Sequence, residues 1–222
     1  MRSIGQFLSK RIIALFYWGF PLFLNCLSRA KFVFARQGLA VRSRSAPFMT
    51  HSELARRIAD VSLLRGDFTL RSGRKSTYYL DKYRFETQPD ILLELGKMIA
   101  AKVPGDAQRI AGPELGAVPL AASAAMQCGK PCLFVRNQKK EYGSAQQIEG
   151  VYIAGEKIVL IEDIVTSGGQ VIEAVKTLKD AGLIVLKVIV IIDREEGGRE
   201  AIEGAGIQMD SLFTTTDLGI KK

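Results

Sequence analysis

Histidine occurs once in these 222 residues and cysteine three times. Cys26, Cys128 and Cys132 form no pair at metal-ligand spacing, and the single His51 is far from the latter two in sequence. That excludes the paired Cys or His ligands a zinc site wants. Cys128 and Cys132 read instead as small buried hydrophobes in a reducing compartment. No internal repeat and no low-complexity tract is present. Acidic residues are missing from the first 48 positions, which hold eight Lys or Arg and so account for the whole net charge of +8. The remaining 23 basic residues meet 23 acidic ones, so the chain from Met49 onward is close to neutral. It offers no basic cluster of the kind nucleic acid requires.

A long apolar run is also missing. Residues 12–27 are apolar but carry Gly19, Pro21 and Asn25, and at 16 residues they fall short of the roughly 20 of a spanning helix. Lys10 and Arg11 before this stretch leave a signal peptide or anchor open, and Arg29, Arg36, Arg42 and Arg44 after it leave a transit peptide open. The third account starts from Met49. Thr50-His51-Ser52-Glu53 is a capping box, and Leu54, Ala55, Ile58, Val61 and Leu64 recur at helical spacing behind it. The chain therefore divides into an extension, 1–48, and a domain, 49–222. Met49 is then either the native start or the first residue after a targeting or membrane segment. Membrane association follows only if residues 12–27 are genuine and retained; otherwise the expected compartment is the cytoplasm.

Within 49–222 the pattern alternates. Strands are expected at 68–70 and 77–81 around a Ser72-Gly73-Arg74-Lys75 turn, then a helix over 89–103. A strand at 109–111, a helix over 117–127 ending near Gly129, and a strand at 133–136 follow. A polar stretch, 137–149, leads to a strand at 157–161 and a helix over 169–181 closed by Gly182. The unbroken Ile/Val/Leu run 184–192 reads as a central strand buried on both faces, before a helix near 199–204 and a strand around 209–213. Strands alternating with helices predict an α/β domain with a doubly wound, mostly parallel sheet, whose ligands sit at the carboxyl ends of strands.

The segment Lys157-Ile158-Val159-Leu160-Ile161-Glu162-Asp163-Ile164-Val165-Thr166-Ser167-Gly168-Gly169-Gln170 concentrates the chemistry. An apolar strand ends in two acids, followed by a hydroxyl- and glycine-rich turn and a helix. Glycines let backbone N–H groups approach a ligand, and a helix N-terminus favours an anion. The turn suits a monophosphate, and the acids suit vicinal sugar hydroxyls. No Gly-Lys-Ser/Thr ending is present, so it is not a Walker loop.

This segment resembles the signature of the type I phosphoribosyltransferases, which bind 5-phosphoribosyl 1-pyrophosphate (PRPP). The resemblance implies that Glu162 and Asp163 meet the ribose hydroxyls. It gives Ile164, Val165, Thr166, Ser167, Gly168, Gly169 and Gln170 to the 5′-phosphate turn. Three further stretches resemble the orotate phosphoribosyltransferases in particular. Phe68-Thr69-Leu70-Arg71-Ser72-Gly73-Arg74-Lys75-Ser76 with Tyr78-Tyr79 is similar to that family's N-terminal signature, implying a small hood built partly from these strands. Arg71 would then reach PRPP, and Tyr78 and Tyr79 would line the orotate site with Thr166. Arg136-Asn137-Gln138-Lys139-Lys140-Glu141-Tyr142-Gly143 resembles its catalytic loop. That implies Lys140 as the catalytic lysine, with Arg136 and Asp163 assisting and Lys139 and Tyr142 at PRPP. Arg194 after the long strand stands where the family holds the orotate carboxylate. Taken singly, Lys139 and Lys140 also fit solvated loop charges, Arg194 a surface ion pair with Glu195 or Glu196, and the tyrosines ordinary strand aromatics.

The chain departs from the family in places. Asn137 stands for a basic residue and Tyr142 for a histidine. Gly112-Pro113-Glu114-Leu115-Gly116, at the pyrophosphate turn, lacks the lysine often found near Gly116. The resemblance further implies a homodimer with shared active sites, and Mg²⁺ held through PRPP with no direct protein ligand. The expected reaction joins orotate and PRPP to give orotidine 5′-monophosphate and pyrophosphate, in UMP synthesis. A transferase for another base, or a PRPP-binding regulator of pyrimidine genes, is the alternative.

Overall fold

The structure, a computed structural model, describes residues 49–69, 73, 75–138 and 146–220. The capping box forms as the sequence requires. Thr50 Oγ1 accepts from the Glu53 amide, and the Glu53 carboxylate accepts from the Thr50 amide at 2.7 Å, opening α1 (His51–Ser62). Leu54, Ala55 and Ile58 bury its apolar face. The helix stops short of Leu64, which lies in β1 (Leu63–Thr69). There it pairs with Tyr79 of the antiparallel β2 (Lys75–Leu80), and cross-strand pairing overrides the helical spacing. After this two-stranded unit comes a short helix, α2 (Lys82–Glu86), absent from the sequence reading because five residues are too few to show a period.

From α3 (Pro89–Lys102) the order is β3 (Arg109–Pro113), α4 (Glu114–Cys128), β4 (Cys132–Val135), β5 (Ile148–Glu149), β6 (Lys157–Val165), α5 (Gly169–Asp180), β7 (Ile184–Asp193), α6 (Gly198–Gly204) and β8 (Met209–Thr214). The six-stranded sheet runs β5-β4-β3-β6-β7-β8, parallel except for the edge strand β5. The chain winds outward from β3 to β4, returns to β6, and winds outward again to β8. Strand order therefore reverses between β3 and β6, where such sheets open a crevice at the carboxyl ends.

Side chains alternate along β6. Val159 and Ile161 join the core under α1, α3 and α4, while Ile158 and Leu160 join the core under α5 and α6. The structure corrects two details. β7 is fully buried only from Val188, since Ile184 at its start is 47% exposed. Cys128 and Cys132 are free and packed against the core, but half-buried, because they sit at the end of α4 and the start of β4. No helix among the described residues is long and apolar enough to cross a membrane. The segments 1–48 and 12–27 lie outside the described residues, as do Arg71, Lys139, Lys140 and Tyr142.

Candidate active site

β6 is four residues longer than the sequence predicts, because its ladder with β7 continues to Val165 opposite Asp193. Glu162 and Asp163 are thus carried inside the strand and are 7% and 3% exposed. The turn at 166–168 follows, and Gly168 caps α5 at φ +80, a conformation that favours glycine. A Cβ there would meet the Gly198 carbonyl oxygen at 2.9 Å, so α6 packs hard beneath the turn. A pocket of about 70 Å³ opens at this helix N-terminus, lined by Glu162 and residues 164–171. Backbone N–H groups, the Thr166 and Ser167 hydroxyls and the start of α5 all border it, which suits an anion. A larger cavity of about 540 Å³ lies between α1 and residues 217–219 and contains none of these groups.

Asp163 does not line the phosphate pocket. Its carboxylate accepts from Lys82 Nζ at 2.5 Å and from the Ile164 amide. A Cβ at Gly116 would stand 2.6 Å from that ammonium and 1.7 Å from Asp163 Oδ2, so only glycine lets α4 begin here. The 112–116 turn is therefore brought against the motif's second acid. Glu162 keeps one carboxylate oxygen buried without a partner among the described residues. Burial, then the neighbouring Asp163, pushes its carboxyl well above the usual range, with Lys82 opposing. Both oxygens of Glu86 are likewise buried and unpartnered among the described residues; burial and Asp163 push this carboxyl up to about 8. Asp163 in turn holds the Lys82 ammonium above its ordinary value, against the effect of burial.

Arg194 and Tyr78 are 116 residues apart in sequence and meet here. Arg194 donates to the Tyr78 hydroxyl at 3.0 Å, and its guanidinium lies 5.5 Å from the ring centroid. The Arg194 amide donates to Val165, which places it beside the end of β6. It also pairs with Glu196 at 3.0 Å, and its buried Nε has no partner among the described residues. Tyr79 points to the other face of the hairpin and packs against Phe68, 45% exposed. Arg136, half exposed, pairs with Glu149 at 2.9 Å. Sequence reasoning missed Lys82, Glu86 and Glu114. Glu114 holds φ +54 and accepts from the Asn137 amide at 2.6 Å, tying the 112–116 turn to the start of the 137–149 stretch. The one signal in the sequence was the missing lysine near Gly116, which leaves the 112–116 segment without a cation of its own.

A pocket suited to an anion at a helix N-terminus, two acids inside the preceding strand and a reversal of strand order beside them fit a phosphoribosyl-transfer site. In agreement, residues 86–207 match the phosphoribosyl transferase domain family. The orotate phosphoribosyltransferase of Methanocella arvoryzae is 48% identical over 153 residues, covering 69% of this chain and 87% of that one. The Natronomonas pharaonis enzyme is 46% identical over 171 residues, covering 77% and 98%. The crystal structure of Mycobacterium tuberculosis orotate phosphoribosyltransferase with Fe(III) dicitrate superposes with a TM-score of 0.70 at 31% identity, covering 77% of this chain and 99% of that one. The chain belongs to the orotate phosphoribosyltransferase family.

Proposed function

We propose that this chain transfers the phosphoribosyl group of PRPP to N1 of orotate, giving orotidine 5′-monophosphate and pyrophosphate in pyrimidine biosynthesis. The observation that carries the orotate assignment is the Arg194–Tyr78 pair beside the end of β6. Its buried guanidinium keeps an N–H free among the described residues, and an anionic base offers the acceptor it lacks. A neutral base offers a guanidinium only carbonyl oxygens, weaker acceptors than a carboxylate. Loss of orotate absorbance with PRPP and Mg²⁺, set against uracil and hypoxanthine, tests the assignment; turnover with uracil or hypoxanthine instead of orotate would overturn it.

In the reaction the C1–O bond to diphosphate breaks, its electron pair leaving with the diphosphate, a C1–N1 bond forms, and the N1 proton of orotate passes to the diphosphate or to water. Charge develops on an oxocarbenium-like sugar and on the leaving group, so positioning and electrostatic stabilisation matter more than nucleophile strength. The 166–170 turn holds the 5′-phosphate, Glu162 and Asp163 take the ribose hydroxyls, and Arg194 with Tyr78 and Thr166 orients the base. Arg71, Lys139 and Tyr142 complete the PRPP contacts, and Arg136 and Lys140 neutralise the diphosphate and exclude water. By the family resemblance a hard Mg²⁺, which keeps waters and binds few protein groups directly, would be held mainly by substrate oxygens and water. When bound, that ion supplies neutralisation of the diphosphate. A homodimer that shares Lys140 between sites, in the cytoplasm, completes the reading; the free Cys128 and Cys132 support a reducing compartment.

A further inference from the structure

We infer that Lys82 is a substrate-binding residue, a further cation of the diphosphate subsite, delivered from α2 instead of from the 112–116 turn. The inference rests on the reading that this turn and the 162–170 motif together bind PRPP. Three elements converge on the Lys82 ammonium: its own helix α2, the end of β6 through Asp163 at 2.5 Å, and the first turn of α4 through Gly116. It therefore stands between the acid assigned to the ribose and the turn assigned to the diphosphate.

The Lys82 side chain is 32% exposed and that of Asp163 only 5%, so the lysine is the member of this pair that an incoming group can reach. An ammonium has three N–H donors, and Asp163 occupies one. The 112–116 turn offers backbone amides but no cation of its own. A polyanionic diphosphate brought beside the Asp163 carboxylate needs a neutralising charge in place before it arrives. Lys82 supplies one, held in position by the acid that also meets the sugar.

The test compares wild type, Lys82→Gln and Lys82→Arg as full-length chains. Glutamine keeps a hydrogen-bond donor for Asp163 and removes the charge; arginine keeps the charge. Calorimetry with Mg²⁺-pyrophosphate and, separately, with ribose 5-phosphate reads the two subsites. Lys82→Gln should weaken pyrophosphate binding by about tenfold or more and leave ribose 5-phosphate within about threefold, and Lys82→Arg should recover most of the loss. Unchanged pyrophosphate affinity in a Lys82→Gln chain whose wild type turns over orotate would overturn the assignment of Lys82 alone. Equal losses for both ligands would also overturn it, reducing Lys82 to a partner of Asp163. A wild type that binds neither ligand and turns over no orotate would instead overturn the reading of the whole site.

Discussion

Arg194 is 13% exposed on its side chain and is held by Glu196, the Tyr78 hydroxyl and the Tyr78 ring. A guanidinium held this firmly is pre-organised for a carboxylate, which it can meet with two parallel N–H donors. Arg194→Ala should raise KM for orotate by about tenfold or more and leave KM for PRPP within about twofold. Steady-state kinetics with each substrate varied would show it, and an unchanged orotate KM would sink the base-site assignment. Lys140→Ala should act on turnover: kcat falls several hundredfold, or ~3–4 kcal/mol of transition-state stabilisation. Near-normal kcat in that variant would remove Lys140 from catalysis. At this scale the sequence was legible wherever residues cluster in one motif, as at 162–170. Lys82 and Glu86 were not legible, because their meaning comes from Asp163, about 80 residues further along the chain.

The elements explain why an acid as unfavourably placed as Glu86 is carried at all. α2 spans five residues from Lys82 to Glu86, so its two ends lie on one face and approach the end of β6 together. Glu86 is buried with a carboxyl raised from 4.5 to about 8. Between those two values the unfolded chain has lost the proton that the folded chain keeps, so stability falls as pH rises through this window and levels off above it. Glu86→Gln should therefore raise the melting temperature more at pH 8 than at pH 5, by on the order of 3 °C. Thermal denaturation at both pH values reads this, and equal shifts would show that Glu86 is not held neutral in the fold. Most elements followed from local pattern: the capping box opened α1, Gly129 closed α4, and an apolar run marked β6. What pattern misplaced were the ends. β6 ran on to Val165 and β1 claimed Leu64 because neighbouring strands offered partners there.

For the whole molecule, we propose 49–222 as the catalytic unit, since the capping box and the α/β core both begin at Met49 and Thr50. A chain starting at Met49 should retain kcat within about twofold of the full chain, as expected of a domain with its own core. A large loss in a folded, monodisperse truncation would assign residues 1–48 a part in the site. By itself the sequence determined the α/β class, the parallel sheet and the glycine-rich turn after β6, because each depends on spacing within a few residues. Only the tertiary structure decided which distant side chains share the site. It brought Tyr78 to Arg194, Lys82 to Asp163 and Gly116, and set Tyr79 apart with Phe68. Those contacts depend on how strands order and helices pack at the β3–β6 crevice, and that ordering is a property of the assembled sheet rather than of any one segment.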